Sequence, residues 1–334
     1  MLSLGRNDEH DSIPRLTTNI QEAAIAFDHK RHTTHNLSLL TKMAPTSKSE
    51  ALRAMLNTAK PAIAMSAHNP LSAKLAAEGG FDAIWVSGFE LAASCAVPDA
   101  NILPMGTHLE VTRSMANIHG LDIPLIADLD TGFGNAINVA YVIPQYEAVG
   151  AAAVVIEDKT FPKDSSLRTD GRQKLVSIEE FQGKIAAAKA ASSMLVIART
   201  EALIADLGEE EALERGMAYV EAGADAILIH SKKKTPDEML SFCRAWQGQV
   251  PLVIVPTSYP QLSFAEIREL NKVGLIICGN HAIRASVAAM KHVFQRILKD
   301  GGIAGVEDEI ATVSEVFKLQ GDDWMRELER KYLR

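Results

Sequence analysis

Pro124-Leu125-Ile126-Ala127 runs into Asp128-Leu129-Asp130-Thr131-Gly132-Phe133-Gly134, and after a helical stretch from Asn138 to Val149 and Gly150 comes Ala153-Val154-Val155-Ile156 with Glu157-Asp158-Lys159 behind it. Both apolar runs are continuous rather than alternating, the pattern of strands buried on both faces of a parallel sheet. A strand, a helix and a second strand in this order form one β-α-β unit. Moving outward, six more runs of the same kind appear: Ala62 to Met65, Ala83 to Val86, Leu195 to Ala198, Ala226 to Ile229, Leu252 to Val255 and Leu275 to Cys278. Helical stretches lie among them, at Leu71 to Glu78, Ile178 to Ala191 and Glu209 to Ala222, and another (Ser49 to Lys60) precedes the first run. Gly79-Gly80, Gly150, Gly223 and Gly274 read as helix ends ahead of strands. Eight such runs predict an α/β fold of the (β/α)8 TIM-barrel type. A doubly wound open sheet is the runner-up, but it calls for a glycine-rich phosphate loop, and no G-x-G-x-x-G or Walker A pattern is present.

The rest of the composition agrees with a globular enzyme. The chain has 334 residues, 47% hydrophobic and 23% charged, which excludes wholesale disorder. No apolar run approaches the roughly 18–20 residues that a membrane span needs. A net charge of −8 argues against nucleic acid or an anionic membrane as the main partner. Cys95, Cys243 and Cys278 have neither metal nor redox spacing, which suits a reducing cytoplasm. Residues 1–46 differ from the rest: they are polar, carry His29-Lys30-Arg31-His32, and lack a secretory apolar core. They read as a poorly ordered or weakly helical extension, with a start of translation at Met43 as a variant, and residues 47–334 as the catalytic barrel with its C-terminal helices.

A barrel places its chemistry just after the C-terminal ends of its strands. Nearly every run here is followed by polar or charged residues: His68 and Asn69, Ser87-Gly88-Phe89-Glu90, Asp128 and Asp130, Glu157-Asp158-Lys159, Arg199-Thr200-Glu201, His230-Ser231-Lys232, Thr257-Ser258, and Asn280-His281. Asp128 and Asp130 stand two apart, so both can point to one side of a strand end. With Glu157 they make a carboxylate cluster that needs a cation, and oxygen ligands without cysteine favour Mg2+ or Mn2+ over Zn2+. Structural ion pairing with Arg199 or Lys159 is the plainer alternative. Arg199 ends an apolar run and suits carboxylate or phosphoryl oxygens, although Glu201 is an available internal partner. Ser87-Gly88 can present backbone N–H groups to an anion. His230 is an acid, base or donor candidate. The polar stretch from Lys159 to Gln173 exceeds an ordinary βα loop and reads as a lid.

Four motifs carry a resemblance: Trp85-Val86-Ser87-Gly88-Phe89, Asp128 to Asn135, Glu157 to Lys163, and Ile197-Ala198-Arg199-Thr200-Glu201-Ala202. With them the chain resembles the phosphoenolpyruvate mutase/isocitrate lyase superfamily from about residue 47 onward, and most of all its phosphonopyruvate-hydrolysing branch. The resemblance implies an eighth helix (about Ala282 to Leu298) exchanged between subunits, giving a homotetramer of paired dimers. It implies Mg2+, replaceable by Mn2+ or Co2+, held directly by Asp128 and through water by Asp99, Asp130 and Glu157. Ser87, Gly88 and Phe89 match the stretch that holds a pyruvyl carboxylate, Arg199 the substrate arginine, and Lys163 the gating loop. Superfamily members that cleave carbon–carbon bonds carry a cysteine on that loop; here no cysteine lies between Cys95 and Cys243. Mutases carry Glu-Asp-Lys, five residues, then Asn-Ser, whereas this chain has Ser165-Ser166 there. The hydrolysing branch has Thr at that place, so Ser165 keeps the hydroxyl. The implied reaction is hydrolysis of the phosphorus–carbon bond of 3-phosphonopyruvate, with Ser165, Lys163, Arg199, His230 and Asp99 as catalytic candidates. Mutase chemistry, or a lyase or decarboxylase acting on a small 2-oxo dicarboxylic acid, is the alternative.

Overall fold

The computed structural model describes residues 47–168 and 170–334; the expectations for residues 1–46 lie outside them. Eight parallel strands close into a barrel: β1 (Ala62–Ala67), β2 (Ala83–Val86), β3 (Leu125–Asp128), β4 (Ala153–Glu157), β5 (Leu195–Thr200), β6 (Ala226–Ile229), β7 (Leu252–Ile254) and β8 (Val273–Cys278). Each strand pairs with its sequence neighbour, and β8 returns to β1 through Ala62 opposite Leu275 and Ala64 opposite Ile277. Residues such as Ala64, Trp85, Ile126, Val155, Ile197, Leu228, Val253 and Ile277 fill the barrel interior in one apolar cluster. Their neighbours Val154, Ile156, Val196, Ala198, Ile227, Ile229 and Ile254 belong to another cluster with the surrounding helices. Side chains alternate between the two, yet both faces are buried, which is why the runs are apolar without a break.

Helices start where the sequence supplies caps. Asn69 and Ser72 form a reciprocal capping box ahead of Pro70–Glu78, as Asn135 and Asn138 do ahead of Ala136–Ala148. Ser177 caps Ile178–Ala191 through the Glu180 N–H. The helix expected over 49–60 spans only Lys48–Met55. Leu56 turns out of helical geometry, and the Asn57 side chain accepts the Ala59 N–H at 2.9 Å, a local turn that competes with helix. Gly274 lies inside β8 instead of ending a helix. A Cβ there would stand 2.8 Å from Pro251 Cβ and 3.2 Å from the Leu56 backbone, so close approach requires the glycine.

The helix His281–Asp300 is long, and Ile283 is its one buried residue. Val287, Met290, Phe294 and Leu298 along it are exposed. Two further helices follow, Val313–Gln320 and Asp322–Tyr332. Among the described residues no helix is long and apolar enough to cross a membrane.

Candidate active site

The C-terminal ends of the strands surround a cavity of about 70 Å³. Ser87, Phe89, Asp99, Asp128, Lys163, Ser165, Arg199 and His230 line it. An adjoining smaller cavity is lined by Gly88, Asp99, Asn101, His108 and Asp130. Glu157 ends β4, paired in register with Arg199 of β5. The candidate residues therefore come together at one mouth, where Lys163, Ser165, Ser166 and Leu167 of the segment after β4 line the cavity and the first three are buried. An isolated bridge between Lys159 and Leu175 pins the base of that segment.

One side of the mouth is acidic. Asp128 ends β3, but Asp130 reaches the site from a left-handed residue (φ 51°) beyond the strand, not by strand alternation. Gly132 and Gly134 continue that turn at positive φ, where a Cβ would strike Val139 and Asn138 respectively. Gly88 is glycine for a related reason: a Cβ would come within 3.1 Å of Asp130 Oδ1 and 3.7 Å of Asp128 Oδ2. Lys163 Nζ bridges Asp99 Oδ1 (3.0 Å) and Asp130 Oδ1 (2.5 Å). Asn101 ties the same parts together, donating to Asp130 Oδ2 at 2.8 Å and accepting the Lys163 N–H at 2.6 Å.

The other side is basic and saturated. Arg199 Nε lies 2.5 Å from Glu201 Oε1 and 3.3 Å from Glu157 Oε2. Ser166 Oγ donates to Glu201 Oε2 at 2.5 Å and accepts from Lys159 Nζ (2.5 Å) and an Arg199 terminal nitrogen (3.0 Å). Arg199 thus does make the internal pair that its spacing from Glu201 allows, and it still faces the cavity. Ser165 Oγ, next to Ser166, makes no hydrogen bond among the described residues and lines the cavity. His230 Nδ1 is buried without a partner.

Burial sets the protonation of these groups. It raises the Asp128 carboxyl, with Lys163 and Arg199 opposing and Glu157 and Asp99 adding to the rise. It pushes Asp130 up to about 8 against the pull of Lys163, with Asp128 and Asp99 repelling its charge. Burial works against the Lys163 ammonium, yet Asp130, Asp99, Glu157 and Asp128 outweigh it and hold the group well above its ordinary value. His230 falls to about 4 through burial and the nearby Arg199, so its ring is neutral at pH 7.

Whether a cation suits this cluster follows from its open valences. Glu157 Oε1 is buried with no hydrogen-bond partner. Among the described residues no three His, Cys, Asp or Glu side chains converge to grip an ion directly. The oxygen-only donor set, with Asp99 and Asp128 on the cavity wall and Asp130 on the adjoining one, fits a hard cation such as Mg2+.

Comparison with known proteins gives the family. The phosphoenolpyruvate phosphomutase family model matches residues 52–298. The chain belongs to that family. It is 63% identical over 291 residues to the phosphonopyruvate hydrolase of Variovorax sp. (strain Pal2), covering 86% of this chain and 100% of that protein. It is 41% identical over 299 residues to the phosphoenolpyruvate phosphomutase of Tetrahymena pyriformis, covering 89% and 99%. The crystal structure of a phosphonopyruvate hydrolase with oxalate and Mg2+ superimposes with a TM-score of 0.82 at 61% identity, over 86% of this chain and 100% of that one.

Asn101 and His108 escaped the sequence reading, and Glu90 and Glu201 were named at strand ends without the contacts they make. Asn101 sits in an irregular loop with no strand to announce it. Glu90 is wholly buried behind Ser87, where it accepts from Ser66 Oγ (2.6 Å) and meets His68 Nδ1 (2.8 Å). The His108 ring, behind Gly88 and Asp130, meets Tyr146 Oη at 3.0 Å. Glu201 was visible as a partner for Arg199, but its bonds to Lys159 and Ser166 were not.

Proposed function

We propose that the chain is a phosphonopyruvate hydrolase, converting 3-phosphonopyruvate and water to pyruvate and inorganic phosphate with Mg2+. The observation that carries this reading is the 63% identity to a phosphonopyruvate hydrolase along that protein's full length. The free Ser165 hydroxyl at the cavity wall supports it, because the amide that mutases carry there cannot deliver a proton or shape water in the same way.

Asp128 would hold Mg2+ directly, with Asp99, Asp130 and Glu157 facing it through water; Mn2+ or Co2+ would substitute. When bound, the ion supplies positive charge to the carboxylate and ketone oxygens of the substrate. Backbone N–H groups of the Ser87-Gly88-Phe89 turn orient the pyruvyl carboxylate. Arg199 meets the phosphoryl oxygens with a guanidinium kept in place by Glu157 and Glu201. The phosphorus–carbon bond breaks with its electron pair passing to the carbon side as the pyruvate enolate. The oxygen of water bonds to phosphorus, and a proton reaches the former methylene carbon. Ser165 positions that water, since a serine hydroxyl is too weak a base to take the proton outright. Neutral His230 holds or accepts a proton across the cavity. Lys163 keeps the acids Asp99 and Asp130 paired while the lid is closed.

Residues 47–334 are proposed as the catalytic unit, acting in the cytoplasm as a homotetramer of helix-exchanged dimers, without nucleic acid or membrane as partner. The apolar residues left exposed along His281–Asp300 support the exchange. Incubation of the purified chain with phosphonopyruvate tests the reading: pyruvate and phosphate should appear one for one, and a chelator should stop both. Release of neither product in the presence of Mg2+ would reject it.

A further inference from the structure

Glu201 stands at the junction between the barrel and the segment that covers it. Its Oε1 takes Arg199 Nε of β5, and its Oε2 takes both Lys159 Nζ (2.9 Å) and Ser166 Oγ of the covering segment. The carboxylate is wholly buried, as is Lys159. Burial alone would raise its pKa, but Arg199 and Lys159 outweigh that and hold it well below the usual carboxylate range. Its backbone is fixed from the opposite side. Asp158 Oδ1 accepts the Glu201 N–H at 2.8 Å, and Asp158 Oδ2 accepts from Thr200 Oγ1 (3.1 Å), Tyr219 Oη (2.7 Å) and Arg215 (3.3 Å). Tyr219 and Arg215 lie on the outer helix Glu209–Glu221.

We propose that Glu201 is a positioning residue that latches the 159–177 segment shut over the cavity and aims Arg199 by the same carboxylate. Three donors from two elements converge on one side chain, and only a carboxylate offers enough acceptor sites for all of them. Opening the segment beyond its pinned base at Lys159 would take Ser166 from Glu201 and leave the buried carboxylate one donor short, so the closed position is favoured. Ser166 is the coupling piece, because its one hydroxyl proton goes to Glu201 while it accepts from Lys159 and Arg199. This proposal rests on the hydrolase reading only for the identity of the ligand beneath the lid.

The test is limited trypsin digestion of the resting full chain, read by mass spectrometry at the exposed Arg168, Arg172 and Lys174, with cleavage after Arg330 as the reference. Glu201→Gln should speed cleavage within the segment on the order of tenfold or more relative to Arg330, since cleavage follows the open population. Glu201→Asp, which keeps the charge, should recover part of the protection, whereas a loss of mere bulk would not be rescued that way. In Glu201→Gln, Mg2+ with oxalate as probe should slow segment cleavage less than in the native chain. Should Glu201→Gln not fold, Ser166→Ala carries the test alone, with an expected increase of roughly three- to tenfold. Unchanged segment cleavage in both variants, or equal acceleration at Arg330, would overturn the latch. Because digestion needs no turnover, its failure is separable from a failure to hydrolyse phosphonopyruvate.

Discussion

The two sides of the barrel mouth are built on opposite terms. Around Glu201 the main donors and acceptors meet: Arg199, Lys159, Ser166 and the Asp158 network saturate one another within the protein. Around Asp128 valences stay open: among the described residues Glu157 Oε1 and His230 Nδ1 lack hydrogen-bond partners, and Ser165 lines the cavity. Buried polar groups are normally satisfied, so an orphan such as His230 Nδ1 on the cavity wall is free to meet a ligand atom. In the proposed reaction the saturated side holds geometry, and the open side would receive the ion, the substrate and water.

Breaking the open side should have the largest effects. Asp128→Ala is expected to lower kcat/KM by on the order of a thousandfold or more, in steady-state assays over a range of Mg2+. Arg199 belongs to the saturated side but also lines the cavity, and Arg199→Lys, which keeps the charge but loses the fork that reaches Glu157, Glu201 and Ser166, should cost about a hundredfold. Ser165→Ala should slow hydrolysis roughly ten- to a hundredfold with little change in thermal stability, because its hydroxyl makes no hydrogen bond among the described residues. A native rate in Ser165→Ala would remove that residue from the reaction.

The saturated side should answer in stability first. Tyr219→Phe removes the 2.7 Å bond to buried Asp158 and should lower unfolding free energy by about 1–2 kcal/mol in denaturant titrations. At neutral pH the smallest effect is that of His108, which acts only as pH falls. Burial lowers His108 from 6.5 to about 4, so the unfolded chain takes up a proton there first as pH falls. Stability should be unaffected by this group above about pH 6.5 and should decline from there towards pH 4, by up to about 3 kcal/mol. Comparing native chain with His108→Gln isolates that slope, which the variant should lack.

The barrel was legible because each strand is buried on both faces and so reads as an unbroken apolar run. The site was legible because barrel geometry puts function after strand ends, which selected Asp128, Glu157, Arg199 and His230. What stayed hidden depends on side chains meeting across long separations. Asp158 meets Arg215 and Tyr219 57 and 61 residues away, and Asn101 reaches the Lys163 backbone 62 residues on. Asp130 was placed correctly for the wrong reason: a left-handed turn, not strand alternation, brings it in. The short helix Gly88–Ser94 follows its strand directly and turns Glu90 inward, so its bonds to Ser66 and His68 were not legible although Glu90 itself was named.

The central claim is that water, not the enolate oxygen, receives the phosphoryl group. Turnover of phosphonopyruvate in 18O-labelled water with Mg2+, followed by 31P NMR, tests it most directly. The account predicts inorganic phosphate carrying one solvent oxygen, with no phosphoenolpyruvate signal at any time. Accumulating phosphoenolpyruvate would contradict it and assign mutase chemistry to this mouth, and an unchanged phosphonate signal from folded, metal-loaded protein would contradict the substrate itself.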